Sequence, residues 1–308
     1  MHIHQNGNQL PPIPYSIVTP GMFDGVHLGH LSLLKKLKQL SNEKGGETVL
    51  LTYWPHPRMV LHPEKPALPL LTTLDEKLEL FEQAGIDHVV ILPFTKAFSA
   101  WHADEFVEKI LIQNLQTKIL VVGYDHHFGN NREGNFEYLL HNKTRFGFEI
   151  IEIPATFIDE MAVSSTKIRY ALQAANIEAV NHFLGRSYSL IGKVVLGNQK
   201  GRTIGFPTAN IHLVDSEKLI PADGVYAVKV EVKNQSLFGM INIGFRPTVN
   251  GRSRTIEVHI LDFHGDIYGD PIKVNFEHYL RPEKAFGSLD ELKKQLENDV
   301  LSTRSYFA

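Results

Sequence analysis

Two histidines three residues apart, His27 and His30, are the first feature of this chain that could do chemistry; they close the run Gly-Met-Phe-Asp-Gly-Val-His-Leu-Gly-His that begins at Gly21. At helical spacing both imidazoles share one face of a first turn, where each can donate a hydrogen bond to a phosphate oxygen. Gly29 between them leaves room for a ligand near the backbone. A second set is Val163-Ser-Ser-Thr-Lys-Ile-Arg169. Ser164 or Ser165 suits a helix N-cap, and Arg169 follows Ser165 by one turn, so hydroxyls, free N–H groups and cations converge on a positive helix end. A third runs from Gly197 through Lys200, Gly201 and Arg202 to Gly205-Phe-Pro-Thr-Ala-Asn210, with glycines and cations suited to phosphates but not in P-loop order. Each set also has a plainer reading: a polar helix start, a capped helix with a solvated basic face, and a turn rich in small polar groups.

The elements that must position these residues follow from periodicity. Tyr15–Val18 reads as a buried strand, the turn at Gly21 and Gly25 follows, and Leu31, Leu34, Leu37 and Leu40 mark a helix. Further strands are expected at Glu47–Tyr53, His88–Leu92, Lys118–Val122 and Glu149–Ile153, with helices over Asp75–Ala84 and Ala103–Leu115. This alternation implies a parallel sheet covered on both faces, with ligands at the carboxyl ends of its strands. The turn Trp54-Pro55-His56-Pro57 and the loop Gly123-Tyr-Asp-His-His-Phe-Gly-Asn130 fall at such ends. Two adjacent histidines on a strand face opposite ways, so His126 and His127 are not expected to share a metal ion.

Beyond Leu184-Gly185-Arg186-Ser187 the pattern changes to short alternating strands: Ser189–Leu196, Gly224–Lys233, Leu237–Ile243, Thr255–Asp262 and Pro271–Tyr279. Gly, Pro, Asn and Asp turns separate them, which signals an antiparallel barrel or sandwich, and Leu289–Leu301 adds a covering helix. In Thr255–Asp262, Ile256, Val258 and Ile260 fill one face, leaving Thr255, Glu257 and His259 on the other. Two domains are expected, residues 1–184 and 185–308.

A chain of 308 residues is long for one core, and its net charge of −3 argues against a dedicated nucleic-acid binder. The absence of cysteine excludes disulfides, thiolate metal sites and cysteine nucleophiles. No apolar run approaches the ~20 residues that span a bilayer. The opening Met-His-Ile-His lacks the pattern of a signal peptide, so a cytoplasmic location is expected, with His2 and His4 on a frayed terminus.

Gly-x-Phe-Asp-Gly-Val-His-x-Gly-His resembles the His-x-Gly-His signature of nucleotidylyltransferases, in the narrower form of the FMN adenylyltransferase module of bacterial bifunctional riboflavin kinase/FAD synthetases. Val163-Ser-Ser-Thr-x-x-Arg is similar to that superfamily's partner motif, with valine in place of isoleucine. The resemblance implies a Rossmann-like domain in which His27, His30 and Arg169 are catalytic and Gly21, Phe23, Asp24, Ser165 and Thr166 bind ATP. It also implies that His56, in a Pro-His-Pro motif, and Asp125 and Phe128 line the flavin site. Relatives carry Gly-x-Asp-Phe-x-Phe-Gly at that loop, where this chain has His126 and His127.

Gly-Phe-Pro-Thr-Ala-Asn resembles the signature of riboflavin kinases. There the implied roles are ATP binding by Gly201, Thr208 and Asn210, Mg²⁺ ligation by Thr208 and Asn210, and general-base catalysis by Glu257. Oxygen ligands of this hard type suit Mg²⁺. Arg281, with Arg246, belongs to segments that enclose the flavin. The fold implied is thus α/β plus all-β, ending in a riboflavin kinase barrel with a terminal helix. The implied substrates and products are ATP, riboflavin, FMN and FAD, with no nucleic-acid or membrane partner and the oligomeric state left open. Two alternatives stand beside this: an enzyme with one working half, its loop altered by His126 and His127, or a flavin-binding regulatory protein whose catalytic sites are retired.

Overall fold

The computed structural model describes residues 1–5, 11–64, 68–158, 161–197, 200–248 and 251–308. They form two compact units, Met1–Ser165 and Thr166–Ala308.

In the first unit the fully buried strand Ser16–Pro20 is central to a six-stranded parallel sheet. Its order is His2–Gln5, His88–Pro93, Glu47–Trp54, Ser16–Pro20, Thr117–Gly123, Glu149–Ile153. Neighbouring residues along a strand point to opposite faces, so Ile17 and Val18 serve different cores. Ile17, Leu50 and Val121 pack with Leu34 and Leu37 of the helix Leu28–Lys44 and with Phe81 of the helix Leu74–Gln83. Val18, Leu51 and Leu120 pack on the other face with Phe106, Val107 and Leu111. The expected helix there begins as Ala103–Phe106 and continues as a π-helix over Val107–Asn114. All strands run parallel, so the loops carrying His27, His56 and Asp125 leave from the same edge of the sheet.

The N-terminus is a correction to the expectation of fraying. His2–Gln5 pairs in parallel with His88–Ile91, and His2 and His4 both stack on the His88 ring. His4 Nε2 lies 3.0 Å from His88 Nδ1, and the other His88 nitrogen meets Glu47 at 2.8 Å. Side-chain contacts with a partner 84 residues away therefore order a segment with no hydrophobic pattern of its own.

The second unit closes a six-stranded antiparallel barrel in the order Ala209–Leu213, Gly251–Ile260, Gln235–Thr248, Gly224–Val232, Pro271–Arg281, Tyr188–Val195. Ala209–Leu213 is a strand that hydrophobic alternation did not mark, because Gly205 and Pro207 precede it and its apolar run is short. Val258 stands opposite both Ala209 and Ile241, and Ile241 opposite Tyr226, so this row shares one face and lines the interior. The helices Ser165–Gln173 and Ile177–Leu184 are tied to the barrel: the Ala222 N–H donates to the Leu172 carbonyl and the Asn181 amide to the Phe276 carbonyl.

The terminal helix runs over Leu289–Phe307, continuing past its expected end at Leu301. Asp299 on this helix is buried and accepts two-pronged hydrogen bonds from Arg281 at 2.7–3.1 Å. Arg281→Met should strand that carboxylate without its cation, lowering stability by about 3–5 kcal/mol, and adding Asp299→Leu should recover most of the loss. Thermal unfolding of both variants checks this; equal destabilisation would show that the ion pair does not hold the helix.

Lys77 is a second buried charge, 2 % exposed beneath the loop after Pro20. Its Nζ donates to the Met22 carbonyl at 3.3 Å and lies 5.4 Å over the Trp54 ring. Burial lowers its pKa from 10.5 to about 8, with Asp24 pulling the other way. Because the folded value lies below the unfolded one, folding releases protons between these limits and stability rises with pH across them. The wild type should gain ~3 kcal/mol relative to Lys77→Met from pH 8 to 10.5. Urea titrations read by Trp54 and Trp101 fluorescence test this, and a difference independent of pH would refute it.

Candidate active sites

The loop from Gly21 to His27 is held in an unusual backbone. Phe23 (φ 51°), Gly25 (φ 85°) and Val26 (φ 38°) are all left-handed, and for a β-branched valine this is costly. A Cβ on Gly21 would lie 2.8 Å from the Phe23 ring, so glycine lets that ring fold back over the turn. Asp24 is buried, and its carboxylate accepts from the Leu71 N–H at 3.0 Å and the Thr72 N–H at 3.1 Å. The Thr72 hydroxyl in turn accepts from the Gly25 N–H at 2.9 Å. Asp24 thus turns inward and anchors the loop, while its carbonyl accepts the Ser165 hydroxyl at 2.8 Å.

That anchoring delivers His27 to the N-cap of the helix Leu28–Lys44. Its Nδ1 accepts the His30 N–H at 3.3 Å, which assigns the proton of the neutral ring to Nε2. The two rings stack with centroids 3.7 Å apart, and the Phe23 edge meets His30 at 5.2 Å. The room beside Gly29 is taken by the His27 ring, since a Cβ there would stand 3.1 Å from Nδ1. The result is a pair of aligned imidazoles at a helix N-terminus, an arrangement that can neutralise an anionic phosphate. Thr166 and Arg169 lie in the helix Ser165–Gln173, in the second compact unit, with Thr166 exposed and Arg169 half-buried.

His56 caps the short helix Pro57–Leu61, its Nδ1 accepting the Arg58 N–H at 3.2 Å. After the strand Thr117–Gly123, Asp125 is exposed, whereas Phe128 packs into the core against Phe106 and Tyr138. His126 stacks on Phe128 with centroids 5.7 Å apart. Burial, with His127 beside it, lowers the pKa of His126 to about 4, so its ring is neutral at physiological pH. His127 is exposed.

In the barrel, Asn210 and Asn242 stand directly opposite Glu257 on either side, so three polar side chains form a row across the outer face of adjacent strands. Glu257 is nonetheless buried, 7 % exposed, and the Thr208 hydroxyl lies 3.4 Å from its Oε2. A Cβ on Gly197 would fall 2.0 Å from the Asn210 amide nitrogen, so the chain before the loop folds tightly over this row. Gly201 is needed for a similar reason: a Cβ would lie 2.2 Å from the Phe206 carbonyl oxygen, while its own carbonyl accepts the Phe206 N–H at 2.8 Å. His259 Nδ1 lies 2.7 Å from the Pro207 carbonyl, and burial is the largest of the influences that together hold its pKa below the ordinary value.

A cavity of about 440 Å³ is lined by Val258 and Ile260, on the opposite face of the strand from Glu257, together with Pro207, Thr208, Phe263 and Tyr268 among others. Thr208 lines the cavity, and its hydroxyl reaches Glu257 of the row. Arg281 donates to Asp299 and to the Pro282 carbonyl, so its guanidinium anchors the terminal helix. The side chains of Lys200, Arg202 and Arg246 lie outside the described residues. Sequence pattern missed Thr72, Lys77, Asn242 and the His259–Pro207 contact; only Lys77 left a trace, a lysine on the same helical face as Leu74 and Phe81.

Comparison with known proteins adds independent findings. Residues 13–167 match the family model described as FAD synthetase, and residues 184–307 the one described as riboflavin kinase. The bifunctional riboflavin kinase/FMN adenylyltransferase of Haemophilus influenzae is 40% identical over 94% of each chain. That of Listeria monocytogenes is 38% identical over 95% of this chain and 92% of its own. The crystal structure of a macrolide-efflux protein from Streptococcus pneumoniae superposes with a TM-score of 0.89 at 32% identity over 99% of both chains. Among the described residues no helix is long and apolar enough to cross a membrane. Both family models and the curated relatives agree on one pair of reactions. The chain belongs to the family of bifunctional riboflavin kinase/FMN adenylyltransferases.

Proposed function

We propose that this protein makes FAD from riboflavin in two steps, each run by its own set of residues. In the barrel, the riboflavin 5′-hydroxyl attacks the γ-phosphorus of ATP, Glu257 takes the hydroxyl proton, and ADP leaves. In the α/β domain, an oxygen of the FMN phosphate attacks the α-phosphorus of a second ATP and pyrophosphate leaves. That nucleophile is already ionised, so the second step needs placement and charge neutralisation by His27, His30, Ser165, Thr166 and Arg169 rather than a base. The observation that carries the reading is the buried Glu257 carboxylate flanked by Asn210, Asn242 and Thr208, in a chain that also stacks two imidazoles on a helix N-terminus.

Thr208 and Asn210 offer hard oxygen donors beside a tightly folded glycine, which suits Mg²⁺ carried with nucleotide phosphates. Bound there, Mg²⁺ would neutralise charge on the transferring phosphoryl group. Gly201 closes the turn over the ATP phosphates, and Gly21, Phe23 and Asp24 shape the loop for the second nucleotide. His56, Asp125, Phe128 and Arg281 belong to the flavin-facing segments, with Phe128 and Arg281 acting through the packing they maintain. The boundary between activities falls at residues 1–184 and 185–308, where Gly185 caps the helix Ile177–Leu184. The substrates are small molecules, and the enzyme works in the cytoplasm without nucleic acid or membrane.

Incubation with riboflavin and ATP·Mg²⁺, with the flavins resolved by chromatography, should yield FMN and then FAD. FMN without FAD would mean one working half, and flavin binding without turnover a retired enzyme. Glu257→Gln should cut FMN formation by roughly 10²–10⁴-fold while FAD formation from supplied FMN persists. His30→Ala should do the reverse, lowering FAD formation by roughly 10²–10³-fold. Loss of both activities in either folded variant would overturn this assignment.

A further inference from the structure

His259 takes no part in either reaction as proposed, yet its side chain is directed at the segment that carries Thr208. A carbonyl oxygen can only accept, so at 2.7 Å from Pro207 O the Nδ1 of His259 must be the donor. The ring also meets the Phe206 ring at 5.4 Å in an edge-on contact. Glu257 and His259 are two residues apart on one strand and share a face, about 7 Å apart. They therefore hold consecutive residues of one segment, Glu257 the Thr208 hydroxyl and His259 the Pro207 carbonyl.

The two contacts are unequal. The Thr208–Glu257 contact, at 3.4 Å, is at the long limit of a hydrogen bond, whereas the His259–Pro207 contact is short. Pro207 has no N–H of its own, so its carbonyl is the only main-chain group through which that residue can be tied. Two residues before it, Gly205 has φ +88°, a conformation that glycine adopts without strain. Just after it, Ala209 opposite Val258 begins the barrel ladder.

We infer that His259 is a positioning residue of the phosphoryl-transfer site, whose Nδ1–H clamps the Phe206–Pro207–Thr208 segment and so sets the place of Thr208 beside Glu257 and the cavity. The inference rests on the kinase reading for its catalytic consequence, but the contact itself is independent of that reading.

Three variants of the full chain separate the hydrogen bond from packing. His259→Asn keeps an amide donor where Nδ1 stands, His259→Gln places its donor one bond further out, and His259→Leu has none. In nucleotide-free protein, hydrogen–deuterium exchange of residues 201–209 should quicken by about tenfold in the Leu and Gln variants and return to within about threefold of wild type in the Asn variant. Exchange in Gly224–Val232 serves as the folding control. The KM for ATP·Mg²⁺ should rise about tenfold in the Leu variant, with the riboflavin KM within about twofold, and Asn should restore it. Wild-type exchange and KM in the Leu variant would overturn the clamp, as would an Asn variant as impaired as Leu. Should the exchange pattern hold in a protein that makes no FMN, the clamp stands and the kinase reading falls.

Discussion

One buried carboxylate sets the shape of the loop from Gly21 to His27. Asp24, fixed by two amides and a hydroxyl from the Leu71–Thr72 segment, holds Phe23 and Val26 in backbone states that would each cost about 1–3 kcal/mol unaided. Hydrogen bonds to an ionised group contribute about 1.5–3 kcal/mol apiece, enough to offset that strain. Everything downstream depends on this balance: the N-cap geometry of His27, the stacking of His30, and the reach of the Ser165 hydroxyl to the Asp24 carbonyl. Aspartate in this motif serves first as an anchor.

The barrel solves the same problem by close approach rather than by charge. At Gly197 and Gly201 the missing Cβ lets chain and side chain come within distances that any other residue would forbid. Antiparallel pairing then sets Asn210, Glu257 and Asn242 abreast, and burial of Glu257 confines the carboxylate to that row. A carboxylate so enclosed has few arrangements open to it, which fixes its geometry in the folded chain.

What could be read in the linear pattern was local. Helical spacing related His27 to His30, and strand alternation set Glu257 apart from Ile256 and Val258, because both depend only on near neighbours. The parallel sheet and an antiparallel barrel or sandwich followed from the same periodicities, and the family resemblance implied the barrel. Contacts across long stretches of chain were not legible. Asp24 meets Thr72, 48 residues on, Arg281 turns to Asp299 instead of outward, and His2–Gln5 becomes a strand because His88 and Glu47 receive it. The strand Ala209–Leu213 was hidden for a related reason: its pairing with Glu257 and Val258 is what makes it a strand.

Closure of the barrel has a further effect on how this half can tolerate change. With six strands joined in a ring, no strand has a free side along which to slide. A single residue inserted within Gly251–Ile260 would exchange the two faces of that strand, sending the acidic side chain into the apolar lumen and an isoleucine out to the opposite face. Length variation in this half is therefore restricted to the connections between strands.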